Sequence, residues 1–333
     1  MPTPIMIVDD SSFARKQMAR ALPEGWDVEV TFANDGSEGL AALKSNCPEY
    51  VFLDLNMPVM DGYQMLEAMR DEGLSSKVIV VSGDIQPEAH QRVMSLGAVE
   101  FIKKPVQKEA IASLLNKHGV CESGSTPATE GQSHDIDVKT SIRDGCQEIA
   151  NVAMGRAADL LARLLDVFVI MPIPNVNTIE TTELHMALNH VAGGEKISAV
   201  CQGFIGSGIA GEALLIFNES SFTDIADMMK CTDELTETVE LELLMDIANI
   251  LIGACLKGIA DQMDINFSQG HPIVLGRHVN IGDIIKRNAS RWNKTLAIEM
   301  GYRFENKKIN CDLLLLFTED SLDPINEIVS YLA

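Results

Sequence analysis

Two groups of residues in this chain have types and spacings suited to phosphate chemistry. The first is Asp9, Asp10 and Asp54, with Ser82 and Lys104. Three carboxylates in one crevice repel each other unless a cation neutralises them, and hard oxygen donors completed by water suit Mg2+. Asp54 could then carry a phosphoryl group whose oxygens a hydroxyl and an ammonium would bind. The second group occurs twice. Glu148, Asn151 and Pro174 are matched at the same spacing by Asp246, Asn249 and Pro272, and each trio has an acid four residues upstream, Asp144 and Glu242. A carboxamide is a poor base, but it can hold a water in line for attack, as an amide does in GTP hydrolysis. A neighbouring carboxylate can pair with a lysine on a partner. Such a short pattern is weak alone; its repetition in register reads as an internal duplication.

The first group needs strand ends to hold it. Apolar runs at 5–8, 28–32, 50–53, 78–81 and 100–102 read as strands. Stretches at 12–22, 36–45, 62–72, 87–96 and 107–116 read as helices. Continuously apolar strands are covered on both faces. Their alternation with helices implies an α/β fold, a doubly wound five-stranded parallel sheet over residues 1–118. Ligands in such sheets sit beyond the carboxyl ends of the strands. Asp9 and Asp10 follow the first strand and Asp54 the third, while Ser82 ends the fourth and Lys104 the fifth.

Residues 119–136 are polar and rich in Gly, Ser and Thr. They read as a flexible linker with a mean span on the order of 20–25 Å. Beyond it, residues 137–333 read as an α+β domain in two halves, about 137–231 and 239–333. Glu148 and Asn151 share one face of a helix expected over 137–165, exposed to a partner, with Ile149, Val152, Ala153, Leu160, Leu161 and Leu164 as its apolar stripe. A helix from 242 to about 263 repeats this. Each proline flanks the extended segment that follows. Leu214–Phe217 and Leu314–Phe317 are corresponding β-rich runs, one in each half, each leading into a helix.

Hydrophobic residues make up 46% of the chain, enough for sizeable cores, and the net charge is −22. That balance excludes a basic nucleic-acid-binding stripe and suits docking to basic protein faces. With no signal peptide and no apolar run of membrane length, the chain is expected to be cytoplasmic, without membrane insertion. Cys47, Cys121, Cys146, Cys201, Cys231, Cys255 and Cys311 form no C-x-x-C pair and read as reduced thiols. His185 and His190 are poorly spaced for a shared metal.

The segments Ile7-Val8-Asp9-Asp10, Asp54-Leu55-Asn56-Met57-Pro58-Val59-Met60-Asp61-Gly62, Val80-Val81-Ser82-Gly83 and Phe101-Ile102-Lys103-Lys104-Pro105 resemble the receiver domain of response regulators, a flavodoxin-like fold. The resemblance implies that a histidine kinase phosphorylates Asp54. It implies that Asp10, Asp54 and the backbone carbonyl of Asn56 ligate Mg2+, with Asp9 acting through water. Ser82 and Lys104 would sense the phosphate, and Phe101 would take the switch-aromatic position. Residues 137–333 resemble the CheC/CheX-type chemotaxis phosphatases, whose pattern is an acid or Ser, then Glu, Asn and Pro at these spacings. Two copies resemble the CheC arrangement, with its pseudo-twofold duplication. This resemblance implies an aspartyl-phosphate phosphatase acting on a phosphorylated CheY-like receiver, with Asn151 orienting water and Glu148 engaging the receiver's lysine. Asp246 and Asn249 would form a second, weaker site, because Asp246 is one methylene short. Self-dephosphorylation, a non-catalytic phosphorylation-dependent adaptor and a homodimer remain open alternatives.

Overall fold

The computed structural model describes residues 2–23, 25–117, 141–180, 197–218, 221–229, 234–279, 294–307 and 309–332. The linker expected at 119–136, Cys121, Cys231, His185 and His190 lie outside them. The chain divides into two compact units, Met1–Glu148 and Ile149–Leu332.

The first unit runs β1 (Thr3–Val8), α1 (Ser12–Ala21), β2 (Val28–Ala33), α2 (Gly36–Asn46), β3 (Tyr50–Leu53), α3 (Gly62–Asp71), β4 (Lys77–Ser82), α4 (Pro87–Ser95), β5 (Glu100–Lys103) and α5 (Lys108–Lys117). Its five strands are parallel in the order β2-β1-β3-β4-β5. Alternate residues of each strand face opposite sides. Ile5, Ile7, Tyr50 and Phe52 pack with Met18, Ile111 and Leu115 on one face. Met6, Val8, Val51 and Leu53 pack with Leu43, Met65 and Val93 on the other. Both faces are therefore cores, and only the strand ends remain for chemistry. The cap on α3 is a reciprocal capping box, Asp61 with Gln64. Gly62 at its first position must be glycine, since a Cβ there would lie 2.3 Å from the Asp54 carbonyl oxygen. That close approach fixes the loop that carries Asp54.

A further helix, α6 (Ile142–Leu165), begins in the first unit and continues into the second. The second unit then follows with β6 (Val169–Ile170), β7 (Asn175–Glu180), β8 (Ile197–Gly206), β9 (Ile209–Asn218), α7 (Ser221–Met228), α8 (Glu237–Met263), β10 (Ser268–Gln269), β11 (Ile273–Val279), β12 (Lys294–Phe304), β13 (Asn310–Phe317) and α9 (Leu322–Leu332). The strands form one antiparallel sheet, β10-β8-β9-β13-β12-β6, with β11 also on β8 and β7 also on β12. Residues 213–217 and 313–317 are buried at every position, so the two central strands are covered on both faces.

The pairing register repeats across the two halves. In the middle, Leu214 pairs with Leu314, Ala213 with Leu315 and Leu215 with Leu313. At one edge Ile273 pairs with Cys201, and at the other Asn175 pairs with Glu299. Ser268 with Ile205 is matched by Ile170 with Arg303. The short edge strands of each half thus extend the sheet beside a long strand of the other half. Pro174 and Pro272 stand immediately before β7 and β11, where a missing N–H costs little.

Three expectations need correction. The second long helix starts at Glu237, not Glu242, because Thr236 caps it by accepting from the Val239 N–H, with Glu237 and Glu240 in its first turn. Leu160 and Leu164 are exposed on α6. The buried face keeps Ile149, Val152, Ala153 and Leu161 of the expected stripe and adds the small residues Ala150, Ala157 and Ala158. The alanines let α8 approach so closely that a Cβ on Gly258 would lie 2.9 Å from the Ala153 Cα. Thirdly, α8 is long and apolar enough to cross a membrane by length and composition, where the sequence showed no such run. Of its most apolar window 61% is buried, the burial of a core helix.

Candidate functional site

The carboxyl ends of β1, β3, β4 and β5 bring the first group of residues together. Carboxylate oxygens of Asp9, Asp10 and Asp54 lie within 4.8 Å of one another. Lys104 reaches into them, its Nζ 2.8 Å from Asp9 Oδ2 and 3.1 Å from Asp54 Oδ1. Asp54 Oδ2 accepts from the Asn56 N–H at 3.1 Å, so the loop curls back over the acid. Ser82 is fully buried and its Oγ accepts from the Asp84 N–H at 3.1 Å. Phe101 is half-buried and meets His90 edge-on, ring centroids 5.4 Å apart.

Residues the sequence reasoning passed over hold this pocket in shape. Asp9 Oδ1 accepts from the Ser11 N–H at 2.9 Å. The buried guanidinium of Arg15 donates to the Asp9 carbonyl at 2.5 Å and the Asp10 carbonyl at 3.2 Å. An arginine one turn into a helix that starts at the acids was the available signal.

Glu148 also lies in the first unit, and it is not exposed as expected. It is 6% accessible, and its Oε1 sits 3.0 Å from Lys104 Nζ. One turn earlier, Asp144 Oδ2 accepts from the Phe13 N–H at 2.8 Å and from the Ser12 hydroxyl. In the second unit Asn151 is also buried, at 7%, and its Oδ1 has no hydrogen-bond partner among the described residues. Asp246 and Asn249 behave differently: both are exposed on α8.

The electrostatics follow from burial. Desolvation pushes Asp9 up to about 6, against the pull of Lys104. Burial, then the charges of Asp9 and Asp54, push Asp10 up to about 7. Burial raises Glu148 to about 8, although Lys104 opposes it. Burial would lower Lys104, but Asp54, Asp9 and Glu148 hold it well above its usual value. One ammonium therefore serves several carboxylates, and the excess negative charge on hard oxygen donors fits a divalent cation.

Residues 5–116 match the family described as response regulator receiver domain. Over 121 residues the chain is 36% identical to the chemotaxis protein CheY of Treponema pallidum, covering 34% of this chain and 83% of that one. The chain belongs to the response regulator receiver family. A protein-glutamate methylesterase/protein-glutamine glutaminase of Geobacter sulfurreducens is 36% identical over 104 residues, 31% of this chain. The chain spans 28% of that relative's length. Among solved structures, the signal receiver domain of the response regulator NarL from Mycobacterium tuberculosis aligns at 28% identity over 35% of this chain and 97% of that one, with a TM-score of 0.33.

Receiver domains bind Mg2+ through acidic residues, and the acids of this receiver are clustered for it. That has a measurable consequence. The folded pKa values of Asp9 and Asp10 lie above the unfolded ones. Their contribution to stability is therefore complete below the unfolded values and is lost as pH rises through about 6 to 7. In EDTA, the receiver's melting temperature is expected to fall as pH rises through this window. Millimolar Mg2+ should flatten that fall, because the cation replaces the protons. Melting curves with equal slopes in EDTA and in Mg2+ would contradict the assignment.

Proposed function

We propose that this chain is a cytoplasmic response regulator whose output is removal of phosphate from aspartyl phosphate. A histidine kinase phosphorylates Asp54, with Mg2+ held by Asp10, Asp54 and the Asn56 carbonyl, and Asp9 acting through water. The bound cation offsets charge on the phosphoryl oxygens. Ser82 and Lys104 bind those oxygens, and Phe101 reports the change. Residues 137–333 act as a duplicated CheC-like phosphatase domain. The repeated register of the two half-sheets supports the duplication.

The observation that carries this reading is the Glu148–Lys104 ion pair at 3.0 Å. Glu148 already makes, with this chain's own receiver, the contact that the resemblance assigns to it. In the proposed reaction the carboxamide of Asn151 holds a water, which attacks phosphorus. The bond to the Asp54 carboxylate breaks, and Asp54 and inorganic phosphate are released. The ion pair favours the chain's own receiver as one substrate of the first motif. Asp246 and Asn249, exposed on α8, stay available to a CheY-like receiver of another chain.

The purified chain is expected to shorten the phosphate lifetime on a CheY-like receiver and on its own Asp54. A double Asn151→Ala, Asn249→Ala variant with unchanged rates would sink the enzyme reading. Tight binding to phosphorylated receivers without faster hydrolysis would make the chain an adaptor instead.

A further inference from the structure

The acid four residues before Glu148 has no assigned task in the reading above, yet it makes two of the first unit's long-range polar contacts. Helix α1 starts beside the acidic pocket, and its N-terminus leaves N–H groups without intrahelical partners. Ser11 caps one of them, accepting from the Ala14 N–H at 3.1 Å. Its hydroxyl does not serve the Phe13 N–H. Asp144 Oδ2 takes that one at 2.8 Å, and the same oxygen accepts from the Ser12 hydroxyl. A carboxylate at this end of a helix also gains from the helix dipole.

Four residues later on the same helix face, Glu148 Oε1 lies 3.0 Å from Lys104 Nζ. The two contacts fall on different elements of the receiver, the start of α1 and the end of β5. A single charged contact lets a helix pivot about it. Two contacts one turn apart fix both its rotation and its position along its axis. The Glu148–Lys104 pair alone cannot do this, because Lys104 is shared with Asp9 and Asp54 and attracts a carboxylate from many directions.

Resting on the reading of α6 as a receiver-binding helix, we propose that Asp144 is a positioning residue: it reads the N-terminus of α1 through Phe13 and Ser12, and so sets where Glu148 meets Lys104. The partner it selects is a receiver with a hydroxyl residue at the first position of α1 and a free N–H at the next. Asp144 touches no reacting atom. Its counterpart in the second half, Glu242, is exposed and one methylene longer, so the second motif would select a differently spaced partner.

The test uses the full chain, unphosphorylated, and two readouts. The first is amide exchange at Phe13. Asp144→Ala is expected to raise it about tenfold or more, the scale of one hydrogen bond to a charged group. Ser12→Ala should raise it less, and the double variant no more than Asp144→Ala alone, because both substitutions remove bonds to one oxygen. The second readout is the rate at which acetyl phosphate, with Mg2+, phosphorylates Asp54. It should rise in Asp144→Ala, as α6 leaves its seat over Lys104, and Asp144→Asn, which keeps shape and one acceptor, should lie between. A merely structural Asp144 would lower stability without this graded order. Equal Phe13 exchange in wild type and Asp144→Ala, or additive effects of Ser12→Ala and Asp144→Ala, would overturn the proposal and leave the phosphatase reading standing. Failure of the phosphatase reading shows elsewhere, as hydrolysis indifferent to Asn151→Ala, and does not alter the exchange result.

Discussion

Lys104→Met should cost the receiver about 3–5 kcal/mol at neutral pH, the penalty for removing one partner from a buried ion pair. Lys104 is 7% accessible, and its ammonium lies within 3.1 Å of Asp9, Asp54 and Glu148. Methionine fills much the same volume, so packing is nearly conserved and the loss is electrostatic. Without the cation the remaining carboxylates must repel one another or take up protons. Taking a proton at pH 7 costs about 1.4 kcal/mol for each unit that separates the pH from the group's pKa. The penalty should therefore shrink as pH falls, because Asp9 and Glu148 already have folded pKa values of about 6 and about 8. Urea unfolding of wild type and variant at pH 5 and pH 7.5, both in EDTA, reads this directly. Near-equal midpoints at pH 7.5 would mean that Lys104 does not neutralise the pocket. Adding Mg2+ should return part of the lost stability, since a divalent cation meets the same carboxylates.

The receiver was legible because its sequence repeats one instruction. Three of the five runs, 5–8, 50–53 and 78–81, hold no charged residue, and a residue of the site follows four of the five within two positions: Asp9, Asp54, Ser82 and Lys104. Strand ends came within two residues of the observed ones for that reason. Helix caps were less visible. Thr236 starts α8 five residues before the apolar stripe suggests, since capping depends on one hydroxyl and the helix's first turn is acidic and exposed. Periodicity also misassigned Leu160 and Leu164. It finds apolar residues at helical spacing but does not know that alanines allow the closer approach, which decides the buried face. The largest gap concerns Glu148. Spacing placed it on a helix face beside Asn151, but spacing carries no information about what covers that face. The contact with Lys104 joins residues 44 positions apart in the sequence, across a segment whose composition gives no register. Arg15 and Ser12 were missed for a related reason: their roles lie in which backbone groups they reach, and residue type alone does not say that.

Asn151→Ala is expected to slow phosphate loss from Asp54 by about 10²-fold, the cost of misplacing a reacting group by roughly 1 Å, while leaving the melting temperature near the wild-type value. The pairing of these two outcomes is what gives the result its weight. Buried polar side chains normally satisfy their hydrogen bonds within the protein, and removing one partner then destabilises the fold. Asn151 Oδ1 is buried and accepts no bond among the described residues, so truncation strands none of their donors on that oxygen. An acceptor that no protein group claims is available to a water, and an amide has both an acceptor to hold it and donors to orient it. Asn249→Ala should act differently. Asn249 and Asp246 are exposed, and the substitution should slow dephosphorylation of an added CheY-like receiver and spare Asp54. Dilution separates the two, because loss from the chain's own Asp54 is first order and independent of concentration, whereas loss from an added receiver is not. Should Asn151→Ala lower stability and leave both rates intact, the residue is structural and the catalytic assignment falls.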